Sequence, residues 1–417
     1  MTYNVAELVR QLEEALRKAE VKKIGAAVSG GSDSTALLYL LAELSEVVGF
    51  KLEAATVDHG LRPESAAEAE WVAARCRVLG VGHTTLNWIG WDGSGNLQDR
   101  ARRARYGLLE GWAASLAIDT IALGHTMDDQ AETLLMRLAR GSGIDGLSGM
   151  AEWRQTDRVS LWRPLLKTRR QDLRDYLIRR DCDWIEDASN EDQRYDRIKA
   201  RQALQALAPL GLDAQSLSKA AANLGEARKA LDLQAYAAAR DIARVECGDV
   251  VLERAGFSAQ STEISRRLLV HAIKWVSSTE YGPRGPAIAD ILAAMQSGKH
   301  STLSGCRILA TGDGYRITRE LQAVKDESCQ SDAIWDRRWR LSGPVNKGLV
   351  VRALGESGIS DCPDWRETTR PRASVLASPS VWNGNKLVAA PLAGRDNGWT
   401  ANLIHSQDHF FTSILSH

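Results

Sequence analysis

The sequence predicts an α/β protein. A doubly wound, mostly parallel sheet comes first, then a mainly helical domain, then a small β-rich C-terminal domain. Three observations carry this expectation. Short apolar runs alternate with segments of helical period over residues 24–138, as strands and crossover helices do in a parallel sheet. Polar, glycine-containing clusters follow three of the apolar runs, at residues 29–34, 58–62 and 124–132. Ligands of such sheets bind beyond the carboxyl ends of the strands, where these clusters fall. From residue 333 onward the helical period disappears.

The elements follow in order. Val5, Leu8, Val9, Leu12 and Leu16 have helical spacing and predict a helix over 4–20. Ile24–Val28 is an apolar strand, and a helix runs from about 34 to 48. Leu52–Val57 is the second strand. Pro63 and Ser65 suit the start of a helix that continues over Ala66–Leu79. A third strand at 83–88 leads through the loop 90–95 to a basic helix, Asn96–Leu116. Asp119–Leu123 is the fourth strand, Met127–Leu138 a helix and Arg140–Met150 a glycine-rich loop. A strand within 159–166 and helices near 169–180 and 195–208 complete this part.

Pro209 and Gly211 mark a boundary, so the first domain is expected to cover 1–210. A second domain, 211–326, opens with one long alanine-rich helix over 213–246 and carries helices at 262–277 and 286–297. Residues 326–332 read as a linker to a third domain, 333–417, with strands at Trp335–Leu341, Gly348–Ala353 and Lys386–Pro391.

Composition bounds the function. The 417 residues are 44% hydrophobic and 25% charged, as in a soluble globular protein, with zero formal net charge. No global field favours nucleic acid, so local patches decide. Residues 154–180 hold nine Arg or Lys against three Asp, and Arg100, Arg102, Arg103 and Arg105 cluster on one helix. Each is read either as a solvated helix face or as a contact for a polyanion. The six cysteines are scattered without a Cys-x-x-Cys pair, which predicts free thiols in a reducing compartment. Neither a signal peptide nor a membrane span is visible, and the expected location is the cytoplasm.

The chemistry begins at Ser29-Gly30-Gly31-Ser32-Asp33-Ser34. Between a strand and a helix, its glycines allow close backbone approach, and the helix start offers N–H groups and positive potential to a phosphate. Its spacing matches neither a Walker loop nor Gly-x-Gly-x-x-Gly. Val57-Asp58-His59-Gly60-Leu61-Arg62 ends the second strand. There the backbone and Asp58 can flank an adenine and ribose and Arg62 can reach a phosphate, or the stretch is an ordinary strand-to-helix loop. Gly124-His125-Thr126-Met127-Asp128-Asp129-Gln130-Ala131-Glu132-Thr133 brings acidic residues to a helix start. Such residues hold Mg²⁺ or take a proton, but they also favour a first helical turn on electrostatic grounds alone. Arg140–Met150 can cradle an anion, or is a plain flexible loop. The stretch Trp184–Asp192, with Tyr195, Arg197 and Arg201, combines acceptors for an amino group with arginines for phosphate, or is a capped helix start.

The hexapeptide at 29–34 resembles the pyrophosphate loop (PP-loop) of the N-type ATP pyrophosphatases. With Val-Asp-His-Gly-Leu-Arg, Gly-His-Thr-Met-Asp-Asp-Gln-Ala-Glu-Thr, Arg-Gly-Ser-Gly-Ile-Asp-Gly-Leu, Arg-Pro-Leu-Leu and Glu-Asp-Ala-Ser-Asn, the set is similar to the tRNA(Ile)-lysidine synthetases over about the first 210 residues. Thr302–Cys306 with Arg319-Glu320 is similar to that family's substrate-binding domain. The C-terminal segment resembles an extra domain found in some members. One departure is Arg197-Ile198-Lys199-Ala200-Arg201, where many members have a run richer in arginine and asparagine.

The resemblance implies that ATP adenylates the C2 carbonyl oxygen of the wobble cytidine in a tRNA(Ile) with a CAU anticodon. The ε-amino group of L-lysine then attacks C2, AMP leaves, and lysidine switches the tRNA from methionine to isoleucine identity. It implies that Ser29, Gly30, Gly31, Ser32, Asp33 and Ser34 hold the phosphates, that Asp58 and His59 lie by the adenosine, and that Asp33 and Asp129 hold Mg²⁺. Arg105 and His125 would neutralise the adenylate or the departing pyrophosphate. Asp129 would orient Mg²⁺ or deprotonate the amine, which must lose its proton before attacking. Asp187, Ser189 and Asn190 would bind lysine, and Arg201 the activated nucleotide.

Three alternatives share parts of this pattern. A PP-loop tRNA 2-thiolation enzyme would carry sulfur on cysteines, often in Cys-x-x-Cys pairs, and none falls in the motifs. A non-catalytic nucleotide- or RNA-binding protein would not need Asp33, Asp128 and Asp129 intact. Amide-forming relatives add a glutaminase region or a cysteine near the start, where residue 2 is Thr.

Overall fold

The structure, a computed structural model, describes residues 5–60, 63–89, 97–156, 158–186, 196–279, 281–312, 314–344 and 348–415. Two compact units divide between Arg228 and Lys229.

The first unit is built on a six-stranded sheet. Its elements are α1 (Val5–Lys18), β1 (Lys23–Ala27), α2 (Ser32–Val48), β2 (Lys51–Asp58), α3 (Ser65–Val78), β3 (Gly82–Asn87), α4 (Leu97–Ser115), β4 (Thr120–Leu123) and α5 (Met127–Ala139). There follow α6 (Ile144–Leu147), β5 (Trp153–Gln155), β6 (Ser160–Trp162), α7 (Arg170–Arg179), α8 (Asp196–Leu207) and the start of α9 (Ala214–Ile242). The strand order is β3-β2-β1-β4-β6-β5, parallel except for β5 against β6. This is the doubly wound sheet expected from the alternating pattern. One face buries Leu37, Leu40, Leu41, Trp162 and Leu177, and the other Leu109, Trp112, Ile121 and Leu161. β1 and β4 are the central strands and their residues are almost all buried.

Several local expectations change. The loop 140–150 contains the single turn α6. β5 is a three-residue edge strand that no period announces. Helix α9 stops at Ile242, and residues 243–246 turn into a strand. The first unit runs past residue 210 because Leu217 and Ala221 on α9 bury against Ala131 and Leu134 on α5.

The second unit begins with a five-stranded antiparallel sheet, order β7-β8-β11-β10-β9, made of β7 (Ala243–Glu246), β8 (Asp249–Glu253), β9 (Ser301–Leu303), β10 (Cys306–Ala310) and β11 (Gly314–Arg319). Short α10 (Arg254–Ser258) follows β8, and α11 (Thr262–Ser277) and α12 (Gly285–Gln296) pack Leu268, Leu269, Ile273 and Ile288 against the sheet. The strands β12 (Ser328–Gln330), β13 (Ile334–Trp335), β14 (Trp339–Ser342), β15 (Val350–Ala353), β16 (Pro379–Asn383), β17 (Lys386–Ala389) and β18 (Thr400–Leu403) form two further sheets, β12-β15-β16-β17 and β13-β14-β18.

Residues 328–330, expected within a linker, thus form an edge strand, and 335–341 is a hairpin rather than one strand. At its turn Asp336 and Arg337 both have positive φ. Arg319 holds Asp336 through two hydrogen bonds of 2.9 Å and donates a third, at 2.8 Å, to the Gly305 carbonyl. Ser304 and Gly305 are the left-handed pair that turns β9 into β10. The Thr302–Cys306 and Arg319 pattern is therefore accounted for by a tight hairpin and the ion pair that fastens it. Arg267 is likewise structural, buried on Asp232 at 2.6 Å.

Candidate active site

The chain runs from β1 outward through β2 and β3, then crosses back so that β4 lies on the other side of β1. The order reverses between β1 and β4, and a doubly wound sheet opens its ligand crevice there. Residues 28–34 leave β1 on one side of this crevice, and 124–132 leave β4 on the other. Gly124 brings them together, since a Cβ there would lie 3.0 Å from the Ser34 backbone nitrogen and Cα.

The loop after β1 is held by its own hydroxyls. The Ser34 hydroxyl accepts from the Ser29 N–H at 3.1 Å and donates to the Gly31 carbonyl at 3.1 Å. Thr35 Oγ1 donates to the Gly30 carbonyl at 3.0 Å. Gly31 begins α2 without a side-chain cap, so the 17-residue helix turns its first N–H groups and its positive end to the crevice. Gly30 has φ +89°, and a Cβ on it would meet Ile185 Cδ1 at 2.5 Å. Ile185 in turn donates its N–H to the Gly30 carbonyl at 2.9 Å. Replacing Gly30 by Ala should therefore lower stability by about 1–3 kcal/mol and weaken ATP binding. Urea unfolding and nucleotide titration measure both, and a variant matching wild type in the two would contradict this loop conformation.

Between the two strand ends lies a network of carboxylates and guanidinium groups. Arg170, at the start of α7, reaches three carboxylates with three nitrogens. Nε donates to Asp33 at 2.8 Å, Nη2 to Asp129 at 3.3 Å and Nη1 to Glu132 at 3.3 Å. Its backbone N–H donates to Asp128 at 2.7 Å, which fixes the α7 terminus on α5. From α8, Arg201 Nε donates to Glu132 at 2.8 Å, and Arg197 contacts Asp129 at 3.4 Å and Glu132 at 3.2 Å. Glu132 is fully buried.

Asp129 also makes a capping box, because its Oδ2 accepts from the Thr126 N–H at 2.8 Å and hydroxyl at 2.9 Å. Burial alone would raise the Asp129 carboxyl, but the Arg197 and Arg170 guanidinium groups and the Thr126 N–H outweigh it and the net shift is downward. Asp33 shifts the other way, because burial outweighs its single guanidinium. Among the described residues, no three His, Cys, Asp or Glu side chains are arranged to hold a metal by themselves. A guanidinium stands between the carboxylates instead.

Two histidines border the crevice with buried Nδ1 atoms that have no partner, His59 and His125. Burial pushes His125 down to about 3, against the pull of Asp129, so it is neutral and offers a hydrogen bond rather than a charge. His59 is lowered by burial and by Arg105, and packs edge-on against Trp88 at 5.7 Å. Arg105 acts electrostatically on both histidines and opposes Arg197, which puts it at the same crevice.

The structure thus brings together the loop 29–34, His59, Arg105, His125, Asp129 and Arg201. Asp58 turns back to its own loop, accepting from the Gly60 N–H at 2.8 Å and from Ser65. Arg62, Asp187, Ser189 and Asn190 lie outside the described residues. Sequence reasoning missed Arg170 as the hub. Its one signal was the basic excess at 154–180. The exposed members of that excess are Arg158, Lys167, Arg169, Arg179 and Arg180, whereas Arg163 is buried and Arg170 and Arg174 are shielded. Arg174 reaches Ser32 Oγ at 3.5 Å and Glu186 at 3.4 Å, and lies over Trp184.

Comparison with known proteins agrees with this fold. Residues 4–207 match the family model described as a PP-loop domain. The chain is 52% identical over 417 residues to the tRNA(Ile)-lysidine synthase of Ruegeria pomeroyi, covering all of both chains. It is 32% identical over 380 residues to that of Wolbachia pipientis wMel, covering 88% of each. With that of Rhodopseudomonas palustris it shares 39% identity over 310 residues, 69% of this chain and 87% of the relative.

Proposed function

The chain belongs to the tRNA(Ile)-lysidine synthase family, and on that premise we propose how it carries out ATP-dependent lysidine formation on tRNA(Ile). The C2 carbonyl oxygen of the wobble cytidine of a CAU anticodon attacks the α-phosphorus of ATP, and pyrophosphate leaves. The ε-amino group of free L-lysine then attacks C2, loses a proton, and AMP departs with the C2–oxygen bond.

The observation that carries this reading is the pairing of an uncapped helix start with carboxylates from two strand ends across the switch point. The α2 N-terminus and the Ser29–Ser34 loop bind the phosphates through backbone N–H groups. Arg105 supplies positive charge, and His125 a neutral hydrogen bond, where negative charge develops on the adenylate and the leaving pyrophosphate. His59 borders the adenosine.

Asp33 and Asp129 fit a divalent cation by chemistry, being hard oxygen donors already drawn onto one cation. Mg²⁺ bound there would offset phosphate charge. The depressed Asp129 carboxyl favours holding charge over removing a proton. Asp187, Ser189 and Asn190 bind lysine in this reading. It is supported by the Ile185–Gly30 tie, which holds Ile185 beside the phosphate loop. Arg201 contacts the activated nucleotide.

Sulfur transfer is the less favoured chemistry. Cys76 is in the core, Cys182 sits by Tyr39, and the other four cysteines belong to the second unit. No helix of the described residues is long and apolar enough to cross a membrane, and the reaction is assigned to the cytoplasm. Pyrophosphate release tests the scheme. Release is expected to require tRNA(Ile) bearing the CAU anticodon and to be followed by lysine incorporation. Release without tRNA, or with tRNA but no lysine incorporated, would overturn it.

A further inference from the structure

The Arg170 guanidinium bonds to three carboxylates, and two of its three contacts are long. Charge-assisted bonds of this kind close to about 2.7–2.9 Å, yet Asp129 and Glu132 are both at 3.3 Å and only Asp33 is at 2.8 Å. The cation is shared among partners rather than fitted to one. Its side chain is 16% exposed and that of Asp129 10%. Carboxylates so shielded cannot be left together without a cation.

The charges also balance. Asp33, Asp129 and Glu132 face Arg170, Arg197 and Arg201, three against three. A triphosphate entering beside Asp33 adds several negative charges to a network that is already neutral. If Arg170 turned to the phosphates, two carboxylates would be left facing each other, and a divalent cation would replace the lost charge.

We propose that Arg170 is a positioning residue that holds the place of the divalent cation between Asp33 and Asp129 in the nucleotide-free enzyme. It hands both carboxylates to the metal and turns its own charge to the phosphates when ATP arrives. The proposal rests on the assignment of Asp33 and Asp129 to Mg²⁺. The exchange is local because the residue has two fixed anchors. Its backbone N–H stays on Asp128, and Nη1 stays on fully buried Glu132. Metal and nucleotide binding are then coupled, each strengthening the other by the same factor.

The test uses the full-length protein and Mn²⁺ followed by electron paramagnetic resonance, with and without α,β-methylene-ATP. Arg170→Gln keeps length and removes charge, and Arg170→Lys keeps charge. In the absence of nucleotide, Arg170→Gln should bind Mn²⁺ at least about tenfold more tightly than wild type, with Arg170→Lys close to wild type. With the analogue, the gap between wild type and Arg170→Gln should narrow. Equal Mn²⁺ affinity of wild type and folded Arg170→Gln without nucleotide would overturn the placeholder role. If Arg170→Gln does not fold, wild type decides. Mn²⁺ binding as tight without the analogue as with it overturns the proposal, and binding that needs the analogue supports it. Failure of wild type to bind Mn²⁺ even with the analogue would instead overturn the assignment of Asp33 and Asp129 to the metal.

Discussion

Replacing Glu132 by Ala should destabilise the first unit by about 3 kcal/mol and lower lysidine formation at least about 100-fold. Glu132 is fully buried and is the common acceptor for Arg170, Arg201 and Arg197. Without it, three guanidinium groups converge on a space that holds no charge. Arg197 and Arg201, with side chains 44% and 35% exposed, can turn toward water, which limits the loss. Arg170, with its side chain 16% exposed, is more shielded, and it carries the position of Asp33 and Asp129 with it. Glu132→Gln, which keeps the shape and one acceptor, should lose less stability but most of the activity. Urea denaturation and a lysine-incorporation assay separate the two effects. A loss below about 1 kcal/mol, within the range of exposed ion pairs, would contradict a stabilising hub.

Asp129→Asn should leave ATP affinity within about tenfold of wild type while lysine transfer falls by about 10²–10⁴. Asn can still accept from the Thr126 N–H and hydroxyl, so the α5 cap survives. What it loses is the negative charge that Arg170 and Arg197 share. Equilibrium binding of ATP and single-turnover lysine transfer measure the two quantities. Near-normal transfer would remove Asp129 from the reaction, and a parallel collapse of both would place its main role in binding nucleotide and metal rather than in lysine transfer.

The part of this molecule legible in the sequence is the part built on local periods. Apolar runs at Ile24–Val28, Leu52–Val57 and Asp119–Leu123 needed no tertiary information, because central parallel strands are buried on both faces. The loop 29–34 and the acidic helix start at 127–132 could be placed at strand ends for the same reason. Elements shorter than a period were hidden. β5 and β12 have three residues each, and the 334–342 hairpin turns on Asp336 and Arg337 rather than on glycine.

At the site, what escaped was convergence. Arg170 lies 137 residues from Asp33 and about 40 from Asp129 and Glu132. Nothing in its neighbourhood separates it from the exposed Arg169 beside it. At Asp58 what escaped was local: its carboxylate, at a strand end that suits a ligand, also accepts from the Gly60 N–H two residues on.

In the proposed reaction, activation at the β1–β4 crevice is spent on joining lysine to a single cytidine. Nucleoside mass spectrometry after incubation of the enzyme with ATP, Mg²⁺, L-lysine and a tRNA(Ile) transcript bearing CAU tests it directly. One modified cytidine is expected, at the wobble position, heavier by one lysine less one water, with one pyrophosphate released per lysine gained. Modification elsewhere in the tRNA, or pyrophosphate released with the cytidine unchanged, would contradict it.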